Sequence, residues 1–305
     1  MIDTPSPVVP GARIIDGAAI SEAVKEQVRL EAAAFTASSG IIPRIVFILV
    51  GNNPASEVYV GSKGKSSEAA GFSHETVRLP DTATQQEVLD LIARLNADPK
   101  THAVLCQLPL PKHISEEAVI EAIDPKKDID GFHPINVGRL SIGRGEFFVP
   151  CTPLGIMEMM KYEKIDPAGK HVVIVGRSNI VGKPMAALLA QKAEGANAVV
   201  TLAHTGAGQR LSEFTRSADI LIAAMGVPMA ITREMVKPGV VVIDVGMNSI
   251  PDATKKSGKR LVGDVDFENV KPIASAITPV PGGVGRMTIA MVLRNTLTAA
   301  QRQAS

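Results

Sequence analysis

The sequence predicts an α/β protein of two domains, each a largely parallel sheet with flanking helices, the C-terminal one Rossmann-like. Three observations carry that expectation. Short apolar runs rich in Val and Ile alternate with amphipathic helical stretches, the pattern of a parallel sheet covered by helices. The alternation restarts near His171, where a second strand–helix series begins. And 305 residues are many for a single hydrophobic core.

The elements follow in order. Arg13-Ile-Ile-Asp-Gly17 is a short extended piece, and Ser21 to Ala37 reads as an amphipathic helix that stops near Gly40 and Pro43. Arg44 to Gly51 is a buried strand. Asn53-Pro54 opens the next helix, with proline at an early position where its missing N–H costs little; that helix ends at Gly71, a C′ glycine. A strand over Glu75 to Leu79, a helix over Thr84 to Asn96 and a strand over His102 to Gln107 follow, the last broken by Pro109 and Pro111. Ser115 caps a short helix, and Thr152-Pro153 starts another that runs through Tyr162. Strands are then expected at His171–Val175, Ala198–Leu202, Asp219–Ala224 and Val240–Val245, a spacing that suits a doubly wound sheet. Arg260 to Val265 reads as a further edge strand, and Met287 to Gln301 as the last helix.

Composition narrows the function. Hydrophobic residues at 45% and charged residues at 21% are globular values. A net charge of +1 gives no electrostatic footprint for nucleic acid, and 3% aromatics without Trp leave no base-stacking surface. No apolar run reaches membrane-spanning length. The opening MIDTPSPVVPGARIIDG has no apolar core and is not Arg-rich, so it reads as a loose tail rather than a targeting segment. Cys106 and Cys151 form no CxxC and the six histidines are scattered, so no metal is expected, and the thiols read as reduced ones of a cytoplasmic protein.

Three motifs in the first half set polar residues in apolar or turn-forming frames. Tyr59 and Lys63 are four apart on a helix and share a face, with Ser56 one turn earlier. A lysine beside an aromatic in a closed cleft can work as an acid or base; the plain alternative is a surface lysine lying on a tyrosine. Gln107 follows a strand at its C-terminal end, where open α/β sheets place ligands, or else faces water there. Asp128 and Asp130 flank Ile129 before Gly131. A calcium loop fails, because Lys126 and Val137 occupy positions that need acids. What remains is a solvated Asp-Gly turn or a carboxylate offered to an N–H-rich heterocycle.

Val173 to Pro184 reads as strand, phosphate-cradling turn and helix. It is not a Walker A loop, since five residues separate Gly176 from Gly182 and Pro184 stands where Ser or Thr is required. Nor is it GxGxxG, since Ser178 replaces the second glycine. Backbone N–H groups aimed at a pyrophosphate are retained all the same, with Arg177 and Ser178 as added donors. The next strand ends Leu202-Ala-His-Thr205 with no acid for a ribose hydroxyl, which together with Arg177 favours NADP over NAD. The expected cofactor residues are Gly176, Arg177, Ser178, Val181, Gly182, His204, Thr205, Gly226, Asp244, Gly246 and Met247, with His204 toward the adenosine end. Pro279 and Pro281 stiffen a segment ahead of Gly282-Gly283, either a wall beside the nicotinamide or a plain turn. A Rossmann-like unit acting on another small substrate, and a non-catalytic sensor, stay open at this point.

Taken together, NPAS, YVGSK, QLPLP, KDIDGFHPINVGRL, PCTPLGI, GRSNIVGKP, DVGMN, GDVDF and TPVPGGVG resemble the bifunctional methylenetetrahydrofolate dehydrogenase/methenyltetrahydrofolate cyclohydrolase family over nearly the whole chain. The resemblance implies oxidation of 5,10-methylenetetrahydrofolate with NADP, followed by hydrolysis to 10-formyltetrahydrofolate, or one of these activities alone. It implies Lys63 as general acid/base, Gln107 as the partner that tunes and orients it, and Asp130 as the group that holds the pterin. Tyr59 would pack on the p-aminobenzoyl group, Ser56 line the site, and Pro279, Gly282 and Gly283 border folate and nicotinamide. It also implies a folate domain of residues 1–149 and 286–305, a cofactor domain of residues 150–285, and a homodimer paired through the cofactor domain. Two positions depart from the family pattern. Arg286 stands where the family usually has the last proline of PVPGGVGPMT, and Thr205-Gly206 where a Ser and a basic residue often contact the 2′-phosphate.

Overall fold

The computed structural model describes residues 11–255 and 258–304, so the first ten residues of the expected tail lie outside the described residues. The described residues form two compact units, one of Ser21–Leu154 with residues 288–304, the other of Gly155–Met287 with residues 11–20.

Strand β1 (Arg13–Ile14) and helix α1 (Gly17–Ser39) come first. The Asp16 carboxylate accepts from Ala18 and Ala19 N–H and so satisfies orphan donors at the start of α1. The Lys63-bearing unit continues with β2 (Arg44–Val50), α2 (Pro54–Ala69), β3 (Ser73–Leu79), α3 (Gln85–Ala97), β4 (Ala103–Cys106), α4 (Glu116–Ala122) and α5 (Pro134–Ile142). Its sheet is parallel, in the order β3-β2-β4. From Ile45 to Val50 every residue of β2 is buried, because helices cover both faces of a central parallel strand. A capping box between Thr84 and Glu87 starts α3.

The other unit holds most of α6 (Cys151–Tyr162), then β5 (His171–Val175), α7 (Gly182–Leu189), β6 (Val199–Ala203), α8 (Leu211–Ser217), β7 (Ile220–Ala223), β8 (Val241–Asp244), β9 (Asn248–Pro251), β10 (Lys259–Val262), α9 (Phe267–Val270) and β11 (Ala276–Ile277). Helix α10 (Met287–Gln303) then lies almost wholly in the first-described unit. The six strands β1-β11-β8-β7-β5-β6 form one parallel sheet whose core is Val173, Val175, Leu221, Ala223, Val242 and their neighbours.

Two expectations need correction. Arg13 and Ile14 fall within the expected folate domain of residues 1–149 and 286–305, but they pair with Ala276 and Ile277 as the edge strand of the larger sheet. The strand expected over Arg260–Val265 is not an edge of that sheet. It pairs antiparallel with β9 as a separate hairpin, Val262 opposite Asn248, and the chain from Gly263 to Val265 is drawn away by buried carboxylates described below.

Candidate active site

The buried stripe of α2 is Ser56, Val60, Lys63, Gly64 and Ser67, the spacing of one helix face. The helix is placed by Asn53, whose Oδ1 accepts from Ala55 and Ser56 N–H, with Pro54 in the first turn. Lysine is rare on such a stripe, yet Lys63 is only 5% exposed. Its Nζ donates to Gln107 Oε1 at 3.0 Å and lies 5.5 Å from the centre of the Tyr59 ring, a cation–π contact. Tyr59 itself is 38% exposed, so one face of the pair remains open to a ligand. The plain surface reading of Lys63 is thereby excluded.

Gln107 sits where β4 ends. Its N–H still donates to Ile48 O, and its Nε2 donates to Leu108 O at 2.7 Å, an orientation that turns Oε1 toward Lys63. The Leu108–Pro109 peptide is cis.

The Asp128–Gly131 turn separates its two acids. Asp128 is buried and its Oδ2 accepts from His133 N–H at 2.8 Å and Asn136 Nδ2 at 2.9 Å, so it holds the turn. Gly131 is left-handed, at φ +68°, and a side chain there would run into the Phe148 carbonyl. Asp130 instead accepts from the Cys151 thiol, its Oδ1 lying 3.8 Å from Sγ. Burial pushes its carboxyl up to about 6, while the Lys63 charge pulls it back down. The structure thus brings Tyr59, Lys63 and Gln107 into contact, with Ser56 on the same helix face and Asp130 within reach of the Lys63 charge.

Three buried neighbours, Cys151, Asn295 and Lys127, escape the sequence reading. The Cys151 thiol lies 3.8 Å from Asp130 Oδ1, and Asn295 Nδ2 donates to Ile129 O and Val149 O around it. Burial, and next the Asp130 charge, raise that thiol well above its usual range, so it is a neutral donor to the carboxylate rather than a nucleophile. Lys127 is buried as well, its Nζ donating to Leu95, Asn96 and Asp98 carbonyls at 2.8–2.9 Å, and so caps the end of α3. The only trace of this in the sequence is a cation just ahead of the Asp128 turn.

In the other unit Gly176 has φ +130°, and a side chain there would meet the Ala224 carbonyl; one at Gly182 would meet the Gly176 carbonyl. The turn is therefore a cradle that only glycine permits. Ser178 Oγ accepts from Val181 N–H at 3.1 Å, Arg177 and Ser178 are exposed, and no side chain caps α7 at Val181. These features fit a dinucleotide pyrophosphate. Thr205 and Met247 are exposed, and Gly226 is left-handed at φ +69°. His204 Nδ1 accepts from Gly206 N–H at 3.0 Å, so that nitrogen is turned onto its own loop.

Asp244, expected among the cofactor residues, turns its carboxylate into the protein. It is buried, and its carboxylate accepts N–H from Gly246, Asp264 and Val265, each at 2.9 Å, with burial pushing it up to about 7. Gly282 and Gly283 follow the cis Val280–Pro281 peptide, and Pro279, Asp244 and Gly263 line a cavity of about 240 Å³.

Fold and site define an α/β enzyme of the dinucleotide-linked class, with a buried amine–amide centre in its other unit. Residues 15–130 match the family model for the tetrahydrofolate dehydrogenase/cyclohydrolase catalytic domain, and residues 150–304 match its NAD(P)-binding domain. A bifunctional protein FolD of Prosthecochloris aestuarii is 54% identical over 93% of this chain and 96% of its own length. One from Myxococcus xanthus is 53% identical over 95% and 98%. Among solved structures, the FolD dehydrogenase/cyclohydrolase of Campylobacter jejuni aligns with TM-score 0.89 at 47% identity, covering 95% of this chain and 99% of its own. The Trypanosoma brucei enzyme complexed with NADP cofactor and an inhibitor aligns with TM-score 0.89 at 39% identity, covering 96% and 98%. This chain belongs to the tetrahydrofolate dehydrogenase/cyclohydrolase family.

Proposed function

We propose that the protein oxidises 5,10-methylenetetrahydrofolate to 5,10-methenyltetrahydrofolate with NADP and hydrolyses the product to 10-formyltetrahydrofolate. Family membership supports both reactions. The observation that carries the site assignment is Lys63 Nζ bonded to Gln107 Oε1 at 3.0 Å inside a buried helix face.

Bound NADP supplies the hydride acceptor; Gly176, Arg177, Ser178 and Gly182 would hold its phosphates. The protein's own part in the first step is alignment. Asp130 accepts N–H groups of the pterin, the Tyr59 ring packs on the p-aminobenzoyl group, Ser56 lines the site, and Pro279, Gly282 and Gly283 border the ligands. In the second step water adds to the methenyl carbon, the bond from that carbon to one ring nitrogen breaks, one water proton reaches that nitrogen and the other leaves to solvent. Lys63 is placed to move these protons. Gln107 fixes Lys63 through Oε1 because its amide is itself held by Leu108 O.

The protein works in the cytoplasm, in keeping with the free thiols Cys106 and Cys151. It pairs as a homodimer through the cofactor unit, where β6 forms an edge of the sheet and leaves Val199 and Leu202 exposed. The test is a spectroscopic assay with 5,10-methylenetetrahydrofolate and NADP⁺ or NAD⁺, with decay of added methenyl substrate followed separately. NADP-dependent oxidation with catalysed decay supports the reading; oxidation without catalysed decay removes Lys63 from its role.

A further inference from the structure

Asp264 is fully buried in the cofactor unit, and its side chain ties together loops that follow two adjacent strands. Oδ2 accepts from Met225 N–H at 2.7 Å and Gly226 N–H at 2.9 Å, both just past β7. Oδ1 accepts from Asn248 Nδ2 at 2.9 Å, just past β8. Its backbone N–H donates to Asp244 Oδ1 at 2.9 Å, and Asp244 N–H donates to Thr278 Oγ1 at 2.7 Å beside Pro279. The lattice therefore spans the C-terminal ends of β7, β8 and β11, the rim where a doubly wound sheet receives its ligand.

Two glycines record how tightly this lattice is built. A side chain at Gly246 would overlap the Asp264 carboxylate, and one at Gly263 would overlap that of Asp244. Each acid thus occupies the space its opposite loop leaves by having glycine. The DVGMN and GDVDF motifs are two halves of one device. Both carboxylates are taken up by the protein's own donors, and the expected cofactor residues Gly226, Gly246 and Met247 hang on the loops that the acids hold.

We propose that Asp264, with Asn248, is a positioning residue for the dinucleotide: it fixes the loops after β7 and β8 at the spacing the cofactor requires and takes no part in the hydrolytic step. This rests on the function proposed above. A carboxylate can accept from all three donors at once, whereas an amide in its place sets an N–H₂ against at least one N–H. Asn248→Ala removes only the Oδ1 partner.

The experiment measures, for the full-length wild type, Asp264→Asn and Asn248→Ala, the KM for NADP⁺ and the kcat in methylenetetrahydrofolate oxidation. Hydrolysis of methenyltetrahydrofolate without dinucleotide is measured beside it. Expected are a KM for NADP⁺ raised about 10- to 100-fold in Asp264→Asn and about 3-fold or more in Asn248→Ala, each exceeding the change in kcat, with hydrolysis within twofold of wild type. A merely structural role lowers both activities together, and that result in both variants overturns the proposal. So does an unchanged KM in Asn248→Ala, which keeps the test open if Asp264→Asn does not fold. Wild-type protein lacking both activities sinks the proposed function itself.

Discussion

Replacing Lys63 by Met removes the ammonium while keeping an unbranched stem of similar length on the buried face of α2. Three interactions disappear: the 3.0 Å bond to Gln107, the contact 5.5 Å above the Tyr59 ring, and the charge that draws the Asp130 carboxyl downward. The first leaves a half-buried amide oxygen without its donor and costs roughly 1–3 kcal/mol of stability, which a chain of this size tolerates. The chemical loss is larger. Proton transfer by a placed side chain contributes roughly 10²- to 10⁴-fold, so hydrolysis of methenyltetrahydrofolate should fall by about that factor. Folate binding should survive, because Asp130 and Tyr59 remain. The assay follows decay of the methenyl absorbance against the uncatalysed rate, with folate affinity measured on the same preparation. Hydrolysis at the wild-type rate would refute the assignment of Lys63, and loss of folate binding in step with hydrolysis would reassign it from proton transfer to binding.

Further outcomes are expected. Arg177→Ala should raise the KM for NADP more than that for NAD; equal shifts in parallel steady-state titrations mean that Arg177 does not read the 2′-phosphate. Asp130, raised to about 6, is protonated below that pH and ionised above it, so folate affinity should fall as pH drops through about 6. Because a raised folded value favours the protonated form, its stability contribution runs the other way, present below the ordinary carboxylate range and lost as pH rises through 6. Asp130→Asn should abolish the pH dependence of binding seen by calorimetry. Lys127→Met should destabilise the fold by about 2–4 kcal/mol by leaving three carbonyls at the end of α3 without their donor, read as a lower denaturation midpoint.

Local chemistry was the legible part. Strands such as Arg44–Val50 and His171–Val175 announce themselves by continuous apolar runs, and Gly176 and Gly182 by the close backbone approaches that only glycine allows. The set Tyr59, Lys63, Gln107 and Asp130 was readable because each lies at a strand end, a turn or one helix face. What escaped depends on partners far along the chain. Two residues such as Arg13 and Ile14 carry no periodicity, and only Ala276 and Ile277 make them a strand. Asp264 reads as an ordinary polar residue until Gly246 is set against it, and Cys151 as a plain buried thiol until Asp130 is beside it. The β9–β10 hairpin hid because its four-residue strands alternate weakly between polar and apolar positions.

The pairing of β1 with β11 bears on how the polypeptide emerges from the ribosome. Arg13 and Ile14 precede every other strand among the described residues, yet their place in the sheet does not exist until Ile277 has been added. At roughly 5–20 residues per second that is a delay of tens of seconds. The Lys63 unit waits too, since Asn295 must arrive to hold Ile129 and Val149. Neither unit can therefore close its fold until the stretch from Ala276 to Asn295 has been made.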